Sequence, residues 1–249
     1  AGRRHRGMGF TDLPNRPRIV INATDLYTGA PFAFAAPYFQ AVCSNLGDVR
    51  IADGVAGSMA VAVAFPPVVL QSFGENCPPP QPGWVAQAVA DRSAPVLLRE
   101  TARAFQLYRN PERMKYVHLS DGGVADNFGL SSLITIRRAS QTPYGPFSAR
   151  DAVKVRRMTF LVVNPGMSAV GDWALKQAGR DGPQMMEAAL GVSVNAPKRA
   201  AADAFALTLA EWRQDIVDYR CSLSKEEAER LGAGPGWDCR DVQFTMDMV

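Results

Sequence analysis

The sequence predicts an α/β fold, a three-layer α/β/α sandwich around a mostly parallel central sheet. Along the 249 residues, apolar runs that are typical of strands alternate with segments of helical periodicity, and such alternation favours a sheet covered by helices. The nearly continuous hydrophobic run MTFLVVN at 158–164 is typical of a central parallel strand that is covered on both faces. Because no low-complexity linker or internal repeat divides the chain, we expect residues 1–249 to belong to a single domain.

The individual elements follow from local patterns. Strands are predicted for the β-branched or apolar runs at 18–25, 28–34, 115–119 and 158–164. Helices are predicted for the segments at 49–64, 95–110, 127–138 and 198–220, of which the last is the longest. Pro66 and Pro67 stop the first of these helices, since proline cannot continue a helix.

The segment VHLSDGGVADNFGL, residues 117–130, holds the candidate functional residues. In α/β sheets the chemistry lies at the carboxyl ends of strands, and Asp121 follows a predicted strand directly. We expect Gly122 and Gly123 to turn the chain through φ values that a side chain disfavours, and to leave space for another loop or a substrate. The sequence therefore predicts a carboxylate held at the edge of the sheet.

The residues after the two glycines begin the next helix. Asp126 or Asn127 is expected to cap it, since both side chains accept hydrogen bonds from free helical N–H groups. An Asp-Gly pair is also common in ordinary turns, so the pair alone does not establish a catalytic aspartate.

Three segments resemble the patatin-like phospholipases. SDGGVADNFGL resembles the Asp-Gly-Gly motif of that family, in which the aspartate is the general base of a Ser-Asp dyad. NATDLYTGAPFAF (22–34) and IADGVAGSMAVAVAFPPVV (51–69) resemble, in the family's order, a strand-turn-strand and an Ala/Ser-rich helix with a Pro-rich turn. The matches span about residues 19–135. The resemblance implies a patatin-like fold and a serine lipid acyl hydrolase, with Asp121 as the general base.

The nucleophile of that family has no counterpart in this sequence. The family carries a serine in a G-x-S-x-G elbow and a glycine-rich oxyanion loop, both before the matched segments. None of the 13 serines has glycine at both −2 and +2; Ser168, for example, has it only at −2 and Ser72 only at +2. When the helix is aligned on Pro66, the family's serine falls on Ala62, so Ser58 is not carried over. We therefore expect the nucleophile to lie upstream of residue 1, and this chain alone not to hydrolyse esters.

The histidines favour a dyad over a Ser-His-Asp triad. The chain has only two, His5 and His118. Side chains three apart on a strand point to opposite faces, so His118 is poorly placed to bond Asp121. A carboxylate that takes the hydroxyl proton itself is a weak base unless desolvation raises its pKa, so we expect Asp121 to be largely buried.

Composition and resemblance together indicate the partners. The net charge is +3, and its densest basic cluster, RRHR at 3–6, is either a solvated tail or a contact for anionic lipid. No basic stripe with interleaved aromatic residues predicts nucleic-acid binding. The resemblance implies a phospholipid or lipid ester as substrate, a membrane surface as partner and no cofactor; family members differ in their need for calcium. The alternative is a non-catalytic α/β module that binds lipid or a partner through the same cleft.

The four cysteines indicate in which cellular compartment the protein works. No C-x-x-C spacing occurs and two histidines are too few for a zinc cluster, so no metal site is predicted. Cys221 and Cys239 flank a short helix and a Gly-Pro-Gly turn, and we predict a disulfide between them; a second bridge between Cys43 and Cys77 is left open. Because disulfides persist in oxidising compartments, a periplasmic, secreted or membrane-associated protein is favoured over a cytoplasmic one with four reduced thiols.

Overall fold

The protein is described by a computed structural model, which covers residues 7–14, 16–61, 64–74, 77, 80–163, 175, 177 and 181–249. The chain divides into two compact units, Ala1–Thr135 and Ile136–Val249. Both units combine helices with a small sheet, so the α/β class is confirmed. The basic cluster at 3–6, with His5, lies outside the described residues.

The first unit contains a four-stranded antiparallel sheet. Its strands are β1 (Asn22–Asp25), β2 (Pro31–Ala33), β3 (Val68–Gln71) and β4 (Tyr116–Asp121), in the spatial order β2-β1-β4-β3. All three neighbouring pairs are antiparallel, so the prediction of a mostly parallel sheet is wrong for this unit. For β1 and β2 the antiparallel pairing follows from the short turn that joins them, because two strands joined by a tight turn form a hairpin, and a hairpin is antiparallel.

Three of the predicted helices form with shorter bounds, and the one predicted at 198–220 is longer. The α-helices among the described residues are α1 (Ala36–Ala41), α2 (Ile51–Met59), α3 (Gly83–Ala90), α4 (Val96–Tyr108), α5 (Gly123–Asp126), α6 (Ser131–Arg138), α7 (Ala149–Lys154), α8 (Gly182–Ser222) and α9 (Lys225–Leu231). The helix predicted at 49–64 is α2, which ends well before the two prolines. The helix predicted at 95–110 is α4, whose buried face includes Leu98, Phe105 and Tyr108. Because the end turns of a helix fray and depend on local capping, a sequence pattern predicts helix ends only to within a few residues.

An aromatic cluster forms the core beside the sheet. Phe32 of β2 packs against Phe34, Tyr38, Phe39 and Tyr108, with ring centroids 5.3–6.1 Å apart. All five side chains are buried, and burying one phenylalanine contributes about 1.5–3 kcal/mol to stability. This cluster anchors β2, and the hairpin with β1, against α1 and α4.

The second unit contains a parallel pair of strands, β5 (Arg157–Val162) and β6 (Gln243–Met248). The run at 158–164 thus forms a parallel strand as predicted, although residue 164 lies outside the described residues. The strand is not covered on both faces by described residues. From Arg157 to Leu161 its side chains alternate between exposed and half-buried, with Leu161 70% exposed, and Val162 is buried. The longest helix is α8, which has 41 residues and includes the predicted segment 198–220.

Two disulfides close loops, one in each unit. The predicted bridge between Cys221 and Cys239 is confirmed, with Cα atoms 5.0 Å apart, and Cys43 is bonded to Cys77 with the same Cα separation of 5.0 Å. No cysteine is free. Since such bonds persist where the environment is oxidising, the pairing supports an extracytoplasmic setting. Within the described part of the chain, no helix is both long and apolar enough to cross a bilayer.

Candidate active site

Asp121 is the last residue of β4 and lies on an open cleft of about 520 Å³. The sheet register places it beside Ala23 of β1. The cleft is formed by the chain entering β1, by one face of α2 and by the turn after β4. Its lining residues are Val20, Ile21, Asn22, Val55, Ser58, Met59, Asp121, Gly122, Gly123, Asp126, Asn127, Phe128 and Gly129. The structure thus places the predicted aspartate at a strand end, and that strand end on a cavity.

The carboxylate of Asp121 is held on one side only. The N–H of Gly123 donates to its Oδ1 at 2.7 Å, and no described residue donates to Oδ2. The residue is partly buried, since the cleft opens beside it. The arrangement orients the carboxylate through one backbone bond and leaves the second oxygen able to accept a proton.

Glycine is needed at position 122 for a reason other than its conformational freedom. Gly122 has φ −62° and ψ −29°, ordinary right-handed helical values, and Gly123 does not have a positive φ either; the expectation of unusual φ values is wrong. A Cβ atom on Gly122 would instead lie 2.6 Å from the carbonyl oxygen of Asn22 and 3.0 Å from its carbon. The other expectation, space for a neighbouring segment, is therefore correct: that segment is β1.

The left-handed conformation occurs later in the motif. Gly129 has φ +69°, a value that glycine adopts at little cost. It lies between α5 and α6, at the point where the chain turns into the next helix. No pattern in the sequence had indicated a role for this glycine.

Asp126 caps the helix that follows. Its Oδ1 accepts from the N–H of Leu130 at 3.1 Å and its Oδ2 from the N–H of Ser131 at 2.6 Å. The side chain is buried, so these bonds satisfy both the carboxylate and the start of α6. Of the two predicted caps, Asp126 is thus the one that forms, and Asn127 is left facing the cleft.

Thr24 connects β1 to the Asp-Gly-Gly turn. Its hydroxyl donates to the carbonyl oxygen of Asp121 at 2.8 Å and accepts from the N–H of Ala125 at 3.1 Å. The residue is 2% exposed, so both bonds are shielded from water. Thr24 was not predicted as a site residue, because only the register of β1 against β4 shows that it lies beside the turn.

Ser58 is the serine that the described residues bring to the cleft. Its carbonyl oxygen accepts from the N–H of Gly122 at 3.3 Å, which places the end of α2 next to the turn. Its hydroxyl has no hydrogen-bond partner among the described residues. Of the other serines considered, Ser72 is buried and donates to the carbonyl oxygen of Tyr108, whereas Ser168, like Ala62, lies outside the described residues.

His118 is not a partner of Asp121. Its side chain is exposed, and Val117 and Leu119 on either side of it are buried. It pairs across the sheet with Val69, and it makes no hydrogen bond to the aspartate, as predicted. Among the described residues, no group of three His, Cys, Asp or Glu side chains converges as a metal site.

Comparisons of the chain with protein-family models, with curated proteins and with solved structures found no match. The residues of the cleft are therefore the basis on which a function is assigned.

Proposed function

We propose that this chain supplies the general base of a patatin-like serine lipid acyl hydrolase, an enzyme that cleaves phospholipids or lipid esters. The observation that carries the proposal is the state of Asp121. It lies at a strand end on an open cleft, with one oxygen held at 2.7 Å by the N–H of Gly123 and no described donor on the other. The resemblance over residues 19–135 supports the same role for this residue.

In the proposed mechanism, Asp121 relays one proton in each of two steps. The hydroxyl of the nucleophilic serine transfers its proton to the carboxylate while its oxygen attacks the ester carbonyl carbon, and that proton then passes to the departing alcohol. In the second step the carboxylate takes a proton from the water that attacks the acyl-enzyme and returns it to the serine oxygen as the acyl–serine bond breaks. Because the resembling family places its nucleophile before the matched segments, we propose that the serine lies upstream of residue 1, in a patatin-like three-layer sandwich.

The lining of the cleft supports a lipid substrate. Val20, Val55 and Met59 line it and remain 42%, 41% and 64% exposed. Apolar surface left in contact with water gains free energy when an acyl chain covers it. Substrate would enter the cleft from a membrane surface. The two disulfides favour a protein that works on the extracytoplasmic side or is associated with a membrane.

A non-catalytic lipid-binding module is the second candidate. The observation that favours it is the lack of any G-x-S-x-G among the 13 serines. In that case the same apolar lining would hold a lipid, and Asp121 would orient a head group without accepting a proton. The two candidates differ in whether Asp121 is needed for turnover.

The test replaces Asp121 by asparagine in the full-length protein. Asparagine keeps the shape and can still accept from the Gly123 N–H but cannot take a proton, so we expect hydrolysis of p-nitrophenyl butyrate and of phosphatidylcholine vesicles to fall by about 10²–10⁴-fold. The urea midpoint should not change. Asp203→Asn, at an exposed position of α8, is the matched control and should retain full activity. Ser58→Ala should also remain active, because the proposed nucleophile lies elsewhere.

Two results would contradict the proposal. Wild-type turnover by a folded Asp121→Asn protein would remove the aspartate from the mechanism. A wild-type protein that binds the vesicles but hydrolyses neither substrate would favour the binding module.

A further inference from the structure

Asn127 faces the cleft with a carboxamide that the fold does not use. It directly follows α5 and lines the cleft together with Asp121. The capping role expected for it belongs to Asp126, whose carboxylate accepts hydrogen bonds from the N–H groups of Leu130 and Ser131 where α6 begins. No described residue forms a hydrogen bond with the Asn127 side chain, which is half-buried. A polar group of this kind, beside a candidate base, requires another explanation.

The space above Gly123 brings Asn127 and Asp121 together. A Cβ atom on Gly123 would lie 2.6 Å from Oδ1 of Asn127 and 2.9 Å from Oδ1 of Asp121. Both oxygens therefore lie on the same side of Gly123, within the span that a single hydroxyl can bridge with two hydrogen bonds of about 2.7–2.8 Å. A half-turn of the carboxamide exchanges its oxygen and its NH₂ group, so Asn127 can present a donor at the same place. Glycine keeps this space open.

We propose that Asn127 is the second hydrogen-bonding group of the site, and that its side-chain N–H donates to the oxygen whose proton Asp121 accepts. The inference rests on the proposed function and adds a residue to it. The two side chains would hold one hydroxyl between them, with Asn127 as donor and the Asp121 carboxylate as acceptor. Oδ1, the carboxylate oxygen near Asn127, keeps a second lone pair beside the one that accepts from the Gly123 N–H.

The step balances without any further reactant. The O–H bond of the hydroxyl breaks, its proton goes to Asp121, and the electron pair on the oxygen forms the bond to the ester carbonyl carbon. Negative charge develops on that oxygen before the new bond is complete, and the N–H of Asn127 stabilises it. A donor to the carbonyl oxygen of the tetrahedral intermediate is worth about 10²–10³ in kcat. Asn127 bonds the attacking oxygen, whose charge is lost again as the new bond forms, so we expect a smaller effect.

The test uses Asn127→Ala in the full-length protein, with p-nitrophenyl butyrate as substrate. We expect kcat to fall by about 10- to 100-fold with KM within about two-fold, since the bond strengthens as the reaction proceeds. The urea midpoint should not change, because the carboxamide has no partner in the described fold. Asn127→Asp places a second carboxylate beside Asp121, so the acid limb of the pH–kcat profile should move upward by about one pH unit.

Asn110→Ala is the matched control. Asn110 Oδ1 accepts from the N–H groups of Glu112 and Arg113 at 3.1 and 3.2 Å, in a turn away from the cleft lining. This variant should lose stability and keep its kcat, the reverse of Asn127→Ala.

The outcomes separate the inference from the proposed function. Wild-type kcat in Asn127→Ala, together with an inactive Asp121→Asn, overturns the role of Asn127 alone. Activity in Asp121→Asn overturns the general base itself. If Asn127→Ala does not fold, Gly123→Ala tests the same space, because the nearest contacts of its methyl group would be the side-chain ends of Asn127 and Asp121. Full activity in that stable variant would overturn the inference.

Discussion

Replacing Gly122 with alanine tests why the turn after β4 needs glycine. Its φ of −62° and ψ of −29° suit alanine, and the reduced freedom of the unfolded chain would alone add about 0.4–1 kcal/mol of stability. Against this, the new methyl carbon would lie 2.6 Å from the carbonyl oxygen of Asn22 and 3.0 Å from its carbon. Those atoms belong to β1, which is hydrogen-bonded to β4 and cannot withdraw cheaply. Overpacking costs about 1–3 kcal/mol, so we expect a net destabilisation of about 1–2 kcal/mol.

Urea denaturation followed by far-UV circular dichroism measures this effect. The matched control is Gly83→Ala at the first residue of α3, where an added Cβ meets nothing within 4 Å. That variant should be unchanged or more stable by up to about 1 kcal/mol. If Gly122→Ala is as stable as the wild type while Gly83→Ala behaves as expected, the close approach of β1 does not explain the glycine. Gly122→Val should be more destabilised than Gly122→Ala for the same reason.

Three further predictions concern other parts of the chain. Thr24→Val removes the hydroxyl that bridges β4 and α5, and should lower kcat on p-nitrophenyl butyrate by about 10- to 100-fold. Thr24→Ser should restore activity, whereas Thr101→Val, at an equally buried threonine of α4, should lower only stability. Burial raises the pKa of Tyr38 to about 12. The pKa of Tyr38 in the folded state exceeds its unfolded value of about 10. The stabilisation of the folded state by the neutral phenol is therefore complete below about pH 10 and is lost as the pH rises toward 12. In a circular-dichroism titration, Tyr38→Phe should lose less structure than the wild type over this interval. Mass spectrometry after alkylation without a reductant should find Cys221 and Cys239 linked, and reduction of this bond should cost about 3 kcal/mol.

A specific result would contradict each of these three predictions. An unchanged kcat in Thr24→Val would show that the threonine does not position the turn. Identical alkaline transitions in Tyr38→Phe and the wild type would show that the phenol does not limit stability at high pH. Alkylation of both Cys221 and Cys239 without reductant would remove that bridge and weaken the extracytoplasmic assignment.

Local patterns in the sequence predicted the elements and the candidate base. The helical periodicity at 95–110 and 198–220 corresponds to α4 and to part of α8. The apolar run before Asp121 placed this residue at a strand end, where the structure has it. These predictions succeed because periodicity, turn residues and helix caps depend on neighbours along the chain.

Strand direction and coverage were decided by the tertiary structure. An apolar run indicates burial but carries no information on the direction of the neighbouring strand, so the antiparallel sheet of the first unit was not predicted. The run at 158–164 is hydrophobic, yet Leu161 is 70% exposed to water in the described structure. Which surface covers a strand is determined by segments far away in sequence.

At the candidate active site, too, some features follow from the local sequence and others only from the tertiary structure. The sequence by itself determined that a carboxylate, Asp121, ends a strand and is followed by two glycines. Only the tertiary structure decided that β1 passes close enough to Gly122 to exclude a Cβ atom, and that Thr24, Ser58 and Asn127 lie around the aspartate. The reason is physical: hydrogen bonds and steric contacts join residues about one hundred positions apart, and no local pattern encodes such distances.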